Sequence, residues 1–375
     1  MTKVFIASDN IVSPLGNTTA ANFSRLKAGI SAIEKHTDTA ISAEPFYAAL
    51  FPKSAFNNQP DGHTKFEQLC ITSVEDAVKN CNLNLSDNQT IFILSSTKGN
   101  IGLLENAEAD DSVKTQITLT YSAKKIASHF GFVHQPVVVS NACISGLLAL
   151  TIGMRFLQSG RYKNAVVLGA DTISKFILSG FQSFQAVSNG VCKPFDAGRT
   201  GINLGEAAAT IVLTTSEQYA DNVIISGGAV SNDANHISGP SRTGEELAIT
   251  IKKAIFQAGI TAADIDFISA HGTATIYNDE MEAKAITLAG LQQVPTNSLK
   301  AYLGHTLGAA GVVEVVIAAQ TMRQSLILPS KGFETMGVSA PINICTTLQP
   351  VAVKYCLKTA SGFGGCNASV VLSKP

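Results

Sequence analysis

The stretch "PVVVSNACISGLLAL" (136–150) joins a short apolar strand to an apolar helix and places a cysteine at the junction. Cys143 would lie at or near the amino end of that helix, where unpaired N–H groups and the helix dipole favour an anion. This setting predicts a lowered thiol pKa and backbone donors that can stabilise a thioester oxyanion. A free cysteine that serves only as a small buried hydrophobe is the more common case. The rest of the chain must decide between these two interpretations.

Valine- and isoleucine-rich runs alternate with longer helical segments on both sides of this junction, for example at 91–94 and 208–213. Such alternation is typical of α/β proteins with buried sheets. After a polar stretch at 214–222 the pattern resumes with another strand. The sequence therefore predicts two comparable halves, residues 1–218 and 219–375.

Helical periodicity is clearest at 144–158, 245–258 and 308–324. Before the second of these segments, Thr243 and Glu246 have the spacing of a capping box. We therefore expect this helix to begin with reciprocal hydrogen bonds between these two residues.

Composition restricts the class of protein. The chain has 375 residues, of which 45% are hydrophobic and 15% charged, so it can bury a large core. A net charge of −1 gives no electrostatic footprint for nucleic acid or an anionic membrane. The seven cysteines show neither a C-x-x-C pair nor a metal-ligand spacing with histidine, which predicts reduced thiols and no metal site. With no signal peptide and no apolar stretch of spanning length, we expect a soluble cytoplasmic protein.

Two histidines in the second half favour the functional interpretation of Cys143. The segment "DFISAHGTATIYNDEME" (266–282) places His271 at the carboxyl end of a strand, where α/β proteins gather functional groups. The segment "NSLKAYLGHTLGAAGVVE" (297–314) supplies His305, followed by small residues that let backbone segments pack closely. Each histidine alone is more often a satisfied core residue. Together with Cys143, they form a Cys-His-His set of the activated-nucleophile type.

The chain resembles the elongating β-ketoacyl-acyl-carrier-protein synthases of the thiolase-like superfamily. Each matching motif is weak alone, but their joint order over nearly the whole chain is specific. The motifs are "IVSPLGNT" (11–18), "NACISG" (141–146), "KPFDAGRTGINLGEAA" (193–208), "SNDANHISGP" (231–240), "HGTAT" with the following N-D-x-x-E (271–282), "K-x-x-x-GHTLGAAG-x-x-E" (300–314) and "SGFGGCNAS" (361–369). The resemblance implies an α/β, thiolase-like fold of two similar halves in a five-layered α-β-α-β-α arrangement.

The resemblance also implies a reaction. Cys143 would take an acyl chain from an acyl carrier protein, and a malonyl carrier would then lose carbon dioxide. The resulting carbanion would attack the acyl-cysteine to give a β-ketoacyl product two carbons longer, without metal, nicotinamide or flavin. His271 and His305 would stabilise the enolate by hydrogen bonding, because placed donors at a developing charge supply a large catalytic effect.

Supporting roles follow residue by residue from the same resemblance. The backbone N–H groups of Cys143 and Phe363 match the oxyanion hole. The ring of Phe363 matches the gate of the acyl pocket, and the neighbouring Gly362 would let this loop move. Thr273 and Thr275 match positions that bind the phosphopantetheine arm.

Four further residues match supporting positions around the histidines. Lys300 matches the lysine that supports them, and Glu314 matches a buried acid that orders the network. Asp279 and Glu282 match structural acids, with solvated acids at the start of a helix as the alternative. His236 lies in a family motif and is expected to be structural.

Some features depart from the family pattern. Cys366 stands where threonine or histidine is common, and thiolases carry a second catalytic cysteine near their carboxyl end, so a thiolase-type acyltransferase is one alternative. A chain-length-determining partner subunit is another, although such subunits lack the nucleophile. The chain is also short between 35 and 130, which, with "STKGN" (96–100), suggests a divergent branch. Such a branch would act in aryl-polyene or related polyketide biosynthesis, and fatty acid biosynthesis is the alternative.

The expected partners are acyl- and malonyl-loaded acyl carrier protein and a second subunit. The second subunit would be another copy of this chain, or a chain-length partner in a heterodimer. Acyl carrier proteins are typically acidic, so Lys124 and Lys125 are candidate contacts.

Overall fold

A computed structural model describes residues 2–56, 62–79, 81, 83–105, 110–220, 222–235 and 237–375. The strands are β1 (Phe5–Val12), β2 (Glu34–His36), β3 (Phe46–Ala49), β4 (Thr90–Ser95), β5 (Val137–Val139), β6 (Asn164–Asp171), β7 (Leu204–Gly205), β8 (Ala207–Thr214), β9 (Ile224–Asn232), β10 (Phe267–Ser269), β11 (Thr296–Asn297), β12 (Leu326–Ile327), β13 (Gln349–Pro350), β14 (Tyr355–Gly362) and β15 (Cys366–Ser373). The α-helices are α1 (Thr19–Lys27), α2 (Lys65–Lys79), α3 (Asp111–Gln116), α4 (Leu119–His129), α5 (Ser145–Gln158), α6 (Lys175–Ser183), α7 (Glu245–Gln257), α8 (Ile276–Leu288), α9 (Lys300–Leu303) and α10 (Ala310–Gln324). Short 3₁₀ turns cover Ile101–Glu105, Glu217–Tyr219, Ala262–Asp264 and Leu307–Ala309.

The central sheet consists of two sets of strands with the same layout. Its order is β11-β10-β14-β15-β9-β1-β8-β6-β4-β5, and the sets meet where β1 pairs with β9. In the first set β5, β4 and β6 are parallel, and β8 and β1 run antiparallel to their neighbours. In the second set β11, β10 and β14 are parallel, and β15 and β9 are again antiparallel. The predicted α/β class and the two similar halves are confirmed.

Helices form three layers around these strands. Helix α2 packs on β1, β6 and β8 and contacts α4, whereas α7 packs on β9, β14 and β15 and contacts α8. Helices α5 and α10 lie between and contact strands of both sets. The order is therefore the expected α-β-α-β-α, with the largest apolar cluster around the central helices. Within the described ranges, no helix combines the length and apolar character that crossing a bilayer requires.

Two glycines let the central helices touch backbone to backbone. A Cβ on Gly146 of α5 would lie 2.8 Å from the backbone nitrogen of Val312, and one on Gly311 of α10 would lie 2.6 Å from that of Leu147. Contacts this short leave no room for a side chain, so the crossing requires glycine on both helices. The close packing expected from the small residues after His305 is present, and it brings the segments that precede α5 and α10 together.

The capping box expected before α7 is wrong. The N-cap is Gly244, which has a φ of 78° and gives no side-chain hydrogen bond. A Cβ there would lie 2.6 Å from the carbonyl oxygen of Met281 on α8. Packing of α7 against α8 thus fixes the start of the helix and overrides the local capping signal.

Candidate active site

Cys143 lies in the turn between β5 and α5, two residues before the helix begins. The preceding residue, Ala142, has a φ of 44°, an uncommon conformation for a residue with a side chain. Such backbone strain is often found at functional sites, where it fixes the direction of a side chain. Cys143 is only 9% exposed but borders a cavity of about 340 Å³.

The structure brings both predicted histidines to this cysteine. The Cys143 sulfur and one ring nitrogen from each of His271 and His305 lie within 4.8 Å of one another. The two imidazole rings are 5.2 Å apart and nearly perpendicular, with an interplanar angle of 84°. All three residues line the cavity, so a substrate in it can reach the thiol and both rings.

His305 is held in one orientation by the turn that follows it. Its Nδ1 accepts a hydrogen bond from the backbone N–H of Leu307 at 3.2 Å, so in the neutral ring the proton is on Nε2. That Nε2 is buried and has no hydrogen-bond partner among the described residues. The His305 backbone is fixed as well, because its N–H donates to the carbonyl of Asn203 at 2.7 Å. A buried donor without a partner is unfavourable unless a ligand satisfies it, so this group can serve a bound thioester oxygen.

His271 follows β10 and is fixed through its backbone. Glu282 of α8 accepts hydrogen bonds from the N–H groups of His271 and Gly272 at 2.8 and 2.7 Å. The ammonium of Lys300 donates to the His271 carbonyl at 3.0 Å. Nδ1 of the ring is buried and unpartnered within the described part of the chain. The N–H and carbonyl groups of the His271 backbone are therefore both hydrogen-bonded, while Nδ1 of the ring remains available to a ligand in the cavity.

Asp279 shapes the loop that carries the two threonines. Its carboxylate accepts from the backbone N–H groups of Thr273 and Ala274 at 2.9 and 3.1 Å, and from that of Phe195 at 2.7 Å. Burial raises the pKa of Asp279 to about 7. The hydroxyls of Thr273 and Thr275 are 2.9 Å apart, and both residues line the cavity.

Both acids at the start of α8 are fully buried. Asp279 and Glu282 have no exposed surface, so the alternative of solvated acids is wrong. Each carboxylate instead accepts hydrogen bonds from backbone N–H groups in the loop before the helix, which would otherwise be buried without a partner.

A buried group of three charged residues lies behind the histidines. Glu314 of α10 accepts a hydrogen bond from Lys300 with one carboxylate oxygen. Its other carboxylate oxygen forms an ion pair with Lys358 of β14 at 2.7 Å. Burial alone would raise the pKa of Glu314, but the two ammonium groups outweigh this effect and lower it.

These charges act on both histidines. Burial, together with the positive charges of Lys300 and Lys358, holds the pKa of His271 and of His305 well below the usual range. Both rings are therefore neutral at physiological pH and can accept or donate a proton. The same positive charges oppose binding of a metal cation at the Cys-His-His set, because like charges repel strongly in a low-dielectric interior.

The predicted lowering of the Cys143 pKa is wrong. Burial raises the pKa of this thiol to about 12, with a smaller contribution from Cys366, and the charge of Lys300 and the N–H of Phe363 only partly offset the increase. Desolvation of the thiolate therefore outweighs the position near a helix amino end. The thiol is protonated at rest and needs a proton acceptor when it attacks.

The loop at 362–365 closes the site beside the thiol. Phe363 directs its backbone N–H at the Cys143 sulfur, as an oxyanion-hole residue would. Its ring packs on Phe181 and Phe184 at 5.6 and 5.3 Å and lines the cavity mouth. A Cβ on Gly362 would lie 2.9 Å from the backbone nitrogen of Cys143, so only glycine permits this approach.

Cys366 lies behind that loop rather than in the cavity. It is 3% exposed, and its sulfur contacts the carbonyls of Phe363 and Asn141 at 3.4 and 3.7 Å. It is absent from the described residues that line the cavity. A second nucleophile of the thiolase kind would have to face the substrate, so this position disfavours the thiolase alternative.

Two further lysines pair with buried carboxylates. Lys125, a candidate contact for a carrier protein, pairs with Glu67 at 2.7 Å. Lys358 was missed, although a lysine within the apolar run "VKYCLKTASG" (353–362) was an available signal. A charged residue in a buried strand is rare without a partner, and here the partner is Glu314. His236 lies outside the described residues.

Comparisons with known proteins identify the family of this chain. Residues 223–334 match the family model "Beta-ketoacyl synthase, C-terminal domain", and residues 1–219 match "Beta-ketoacyl synthase, N-terminal domain". The second match alone spans more than half of the chain, so the chain belongs to the β-ketoacyl synthase family. It is an acyltransferase that forms carbon–carbon bonds.

Individual relatives are distant but similar over their whole length. The 3-oxoacyl-[acyl-carrier-protein] synthase 2 of Staphylococcus aureus (strain N315) is 26% identical, over 99% of this chain and 98% of that protein. The solved structure of the ishigamide ketosynthase/chain length factor is 25% identical with a TM-score of 0.92, covering 100% of this chain and 99% of that one. A ketosynthase in complex with its chain length factor from Xenorhabdus doucetiae has a TM-score of 0.87 at 24% identity, covering 100% and 98%.

Proposed function

We propose that this chain is an elongating β-ketoacyl-acyl-carrier-protein synthase that acts in the cytoplasm, with Cys143 as the acyl acceptor. The observation that carries the proposal is the group of one thiol and two neutral imidazoles within 4.8 Å at a cavity. Because the Cys143 thiol is protonated at rest, one of the neighbouring neutral histidines accepts its proton as the sulfur attacks the acyl thioester. The carrier thiol leaves and takes up a proton, and the acyl chain remains on Cys143.

The second half-reaction uses the unpartnered ring nitrogens. A malonyl thioester in the cavity loses carbon dioxide, and the electron pair of the broken bond becomes an enolate. The Nε2–H of His305, with the ring of His271 beside it, stabilises the enolate oxygen. The enolate carbon then attacks the acyl carbonyl, whose oxygen meets the N–H groups of Cys143 and Phe363. Collapse of this intermediate breaks the bond to the Cys143 sulfur and gives a β-ketoacyl carrier, and the released thiolate takes up a proton from solvent to restore the thiol.

The remaining residues would bind and position the carrier arm. Thr273 and Thr275 present hydroxyls to the cavity and suit the amides of a phosphopantetheine arm. The rings of Phe181, Phe184 and Phe363 form an aromatic wall at the mouth, and such rings stack well on flat conjugated chains. We therefore propose an aryl-polyene or related polyketide substrate in preference to a saturated fatty acyl chain.

The proposed assembly is a homodimer or a heterodimer with a chain-length partner. The resemblance to two ketosynthases solved with chain length factors supports the second form. Within one chain, we propose halves at 1–218 and 219–375, because the strand layout repeats on either side of the β8–β9 connection.

Intact-protein mass spectrometry tests the proposal. The protein is incubated with saturated and polyene acyl carriers, and malonyl carrier is then added. We expect the acyl mass on Cys143 and its discharge as a β-ketoacyl carrier, with polyene chains loading faster. In the Cys143→Ala variant, both steps should fall below detection. Loading of that variant to the wild-type extent would contradict the assignment, and exclusive loading of saturated chains would contradict the substrate class.

A further inference from the structure

Lys358 lies in the middle of β14 and has no exposed surface. Its ammonium donates to the carbonyl oxygens of Ser269 and Ala270 at 3.1 and 3.0 Å, and it pairs with Glu314 at 2.7 Å. Two of the three ammonium N–H groups therefore have carbonyl acceptors, and the third contact is an ion pair. Burial lowers the pKa of Lys358, and the carboxylate of Glu314 opposes this effect.

The two buried lysines together hold one short segment of backbone. The three successive carbonyls at the end of β10 belong to Ser269, Ala270 and His271. Lys358 binds the first two, and Lys300 binds the third. Since Glu314 joins both ammonium groups, displacement of either lysine would disturb the strand end that carries the His271 ring.

The next residue of β14 reinforces the same segment from its other face. Thr359 donates its hydroxyl to Glu282 at 2.6 Å, and that carboxylate holds the His271 N–H. Neighbouring residues of one strand thus fix the carbonyls and the N–H groups of the His271 segment.

We propose that Lys358 is a positioning residue of the condensation step, which holds the end of β10 and thereby the His271 ring in place for the enolate. The inference rests on the proposed function and extends it to a residue that does not touch the substrate. Burial and the charge of Lys300 contribute most to the lowered pKa of both histidines, and the charge of Lys358 acts in the same direction. Among the titratable groups near these rings, Cys143 lies within 4.8 Å of both, and Lys300 and Lys358 act on both through their charge. Glu282 accepts from the His271 N–H, and Glu314 pairs with both lysines.

Two substitutions separate the charge from the hydrogen bonds. Lys358→Met keeps the length of the side chain and removes both, whereas Lys358→Gln removes the charge and keeps an N–H donor. Lys354→Met is the matched control, because Lys354 is an exposed residue immediately before the same strand. Thermal unfolding of all three variants identifies those that are folded.

Condensation and acyl loading are measured separately for each variant. We expect kcat for condensation to fall about 10-fold to 100-fold in Lys358→Met, as for a small misplacement of a catalytic group. Acyl loading of Cys143 should change less, and Lys358→Gln should lose less than Lys358→Met. The acidic limb of the pH–rate profile should move to higher pH in both variants, because removing a positive charge raises the pKa of the histidines.

Histidine NMR gives a readout that does not depend on turnover. In protein labelled at histidine Cε1, the two resonances that vanish in His271→Ala and His305→Ala should titrate at higher pH in either Lys358 variant, but not in Lys354→Met. Unchanged titration in a folded Lys358 variant, with condensation within about twofold of wild type, would overturn the inference. If the wild-type protein neither loads nor condenses, the proposed function fails, and the NMR titration then shows only whether the charge of Lys358 acts on the histidines.

Discussion

The two central helices occupy corresponding places in the two halves, but they differ in what they bury. Helix α5 follows Cys143, and its buried residues are apolar or are glycine, serine and threonine. Helix α10 follows His305 and buries Glu314, which joins two lysines. One half therefore supplies the proposed nucleophile next to an apolar helix, and the other holds the charged residues that we propose position the histidines. Repetition of a fold need not repeat its electrostatics.

The largest effect should follow from removing either imidazole. His305→Ala and His271→Ala should each lower condensation by about 10²-fold to 10⁴-fold, the usual contribution of a placed acid or base. Loading of Cys143 should fall less in His305→Ala, because the remaining His271 ring has an unpartnered Nδ1 and can still accept the thiol proton. Single-turnover measurements of the two steps distinguish these effects.

The exposed His129 on α4 provides a matched control for the imidazole variants. His129→Ala should leave both steps unchanged. Wild-type condensation in either active-site variant would show that its ring does not act on the enolate.

The second largest effect is expected from removing the buried charge of α10, compared with removing a buried hydroxyl of α5. Glu314→Gln leaves two buried ammonium groups without their carboxylate, and breaking a buried ion pair in this way costs about 3–5 kcal/mol. On α5, Thr151→Val removes only a hydroxyl that bonds to the Leu147 carbonyl, which should cost about 1 kcal/mol. The free energy of unfolding in urea measures both. Equal losses of unfolding free energy in the two variants would mean that the Lys300–Glu314–Lys358 group contributes no more than an ordinary polar contact.

The smallest effect concerns the crossing of the helices. Gly146→Ala places a Cβ against the backbone of Val312, and such overpacking typically costs about 1–3 kcal/mol. It should also slow condensation, because it moves the segment before α5 away from the segment before α10. Gly180→Ala on α6 is the control, since its Cβ would meet nothing within 4 Å and should be neutral or slightly stabilising. A Gly146→Ala variant as stable and active as this control would show that the crossing can relax.

Much of the site could be predicted because its residues follow strand ends or precede helices. Cys143 and His271 each stand at the end of an apolar strand, which the residue pattern alone identifies. The role of Lys358 was not predictable, because its partners Ser269 and Glu314 are distant in sequence and meet it only through the pairing of β14 with β10 and the packing of α10. The Cys143 pKa was predicted in the wrong direction for a related reason, since burial depends on the surrounding elements.

The sequence by itself determined the α/β class and the two similar halves, and it singled out the thiol and the two histidines that meet at the cavity, because local periodicity and ordered motifs carry this information. Only the tertiary structure decided that the thiol is desolvated, that Asp279 and Glu282 are buried, and that Cys366 lies outside the cavity. It also decided that one carboxylate serves two lysines. The physical reason is that desolvation and charge pairing depend on the distances between residues far apart in the chain, and these distances are set when the layers pack.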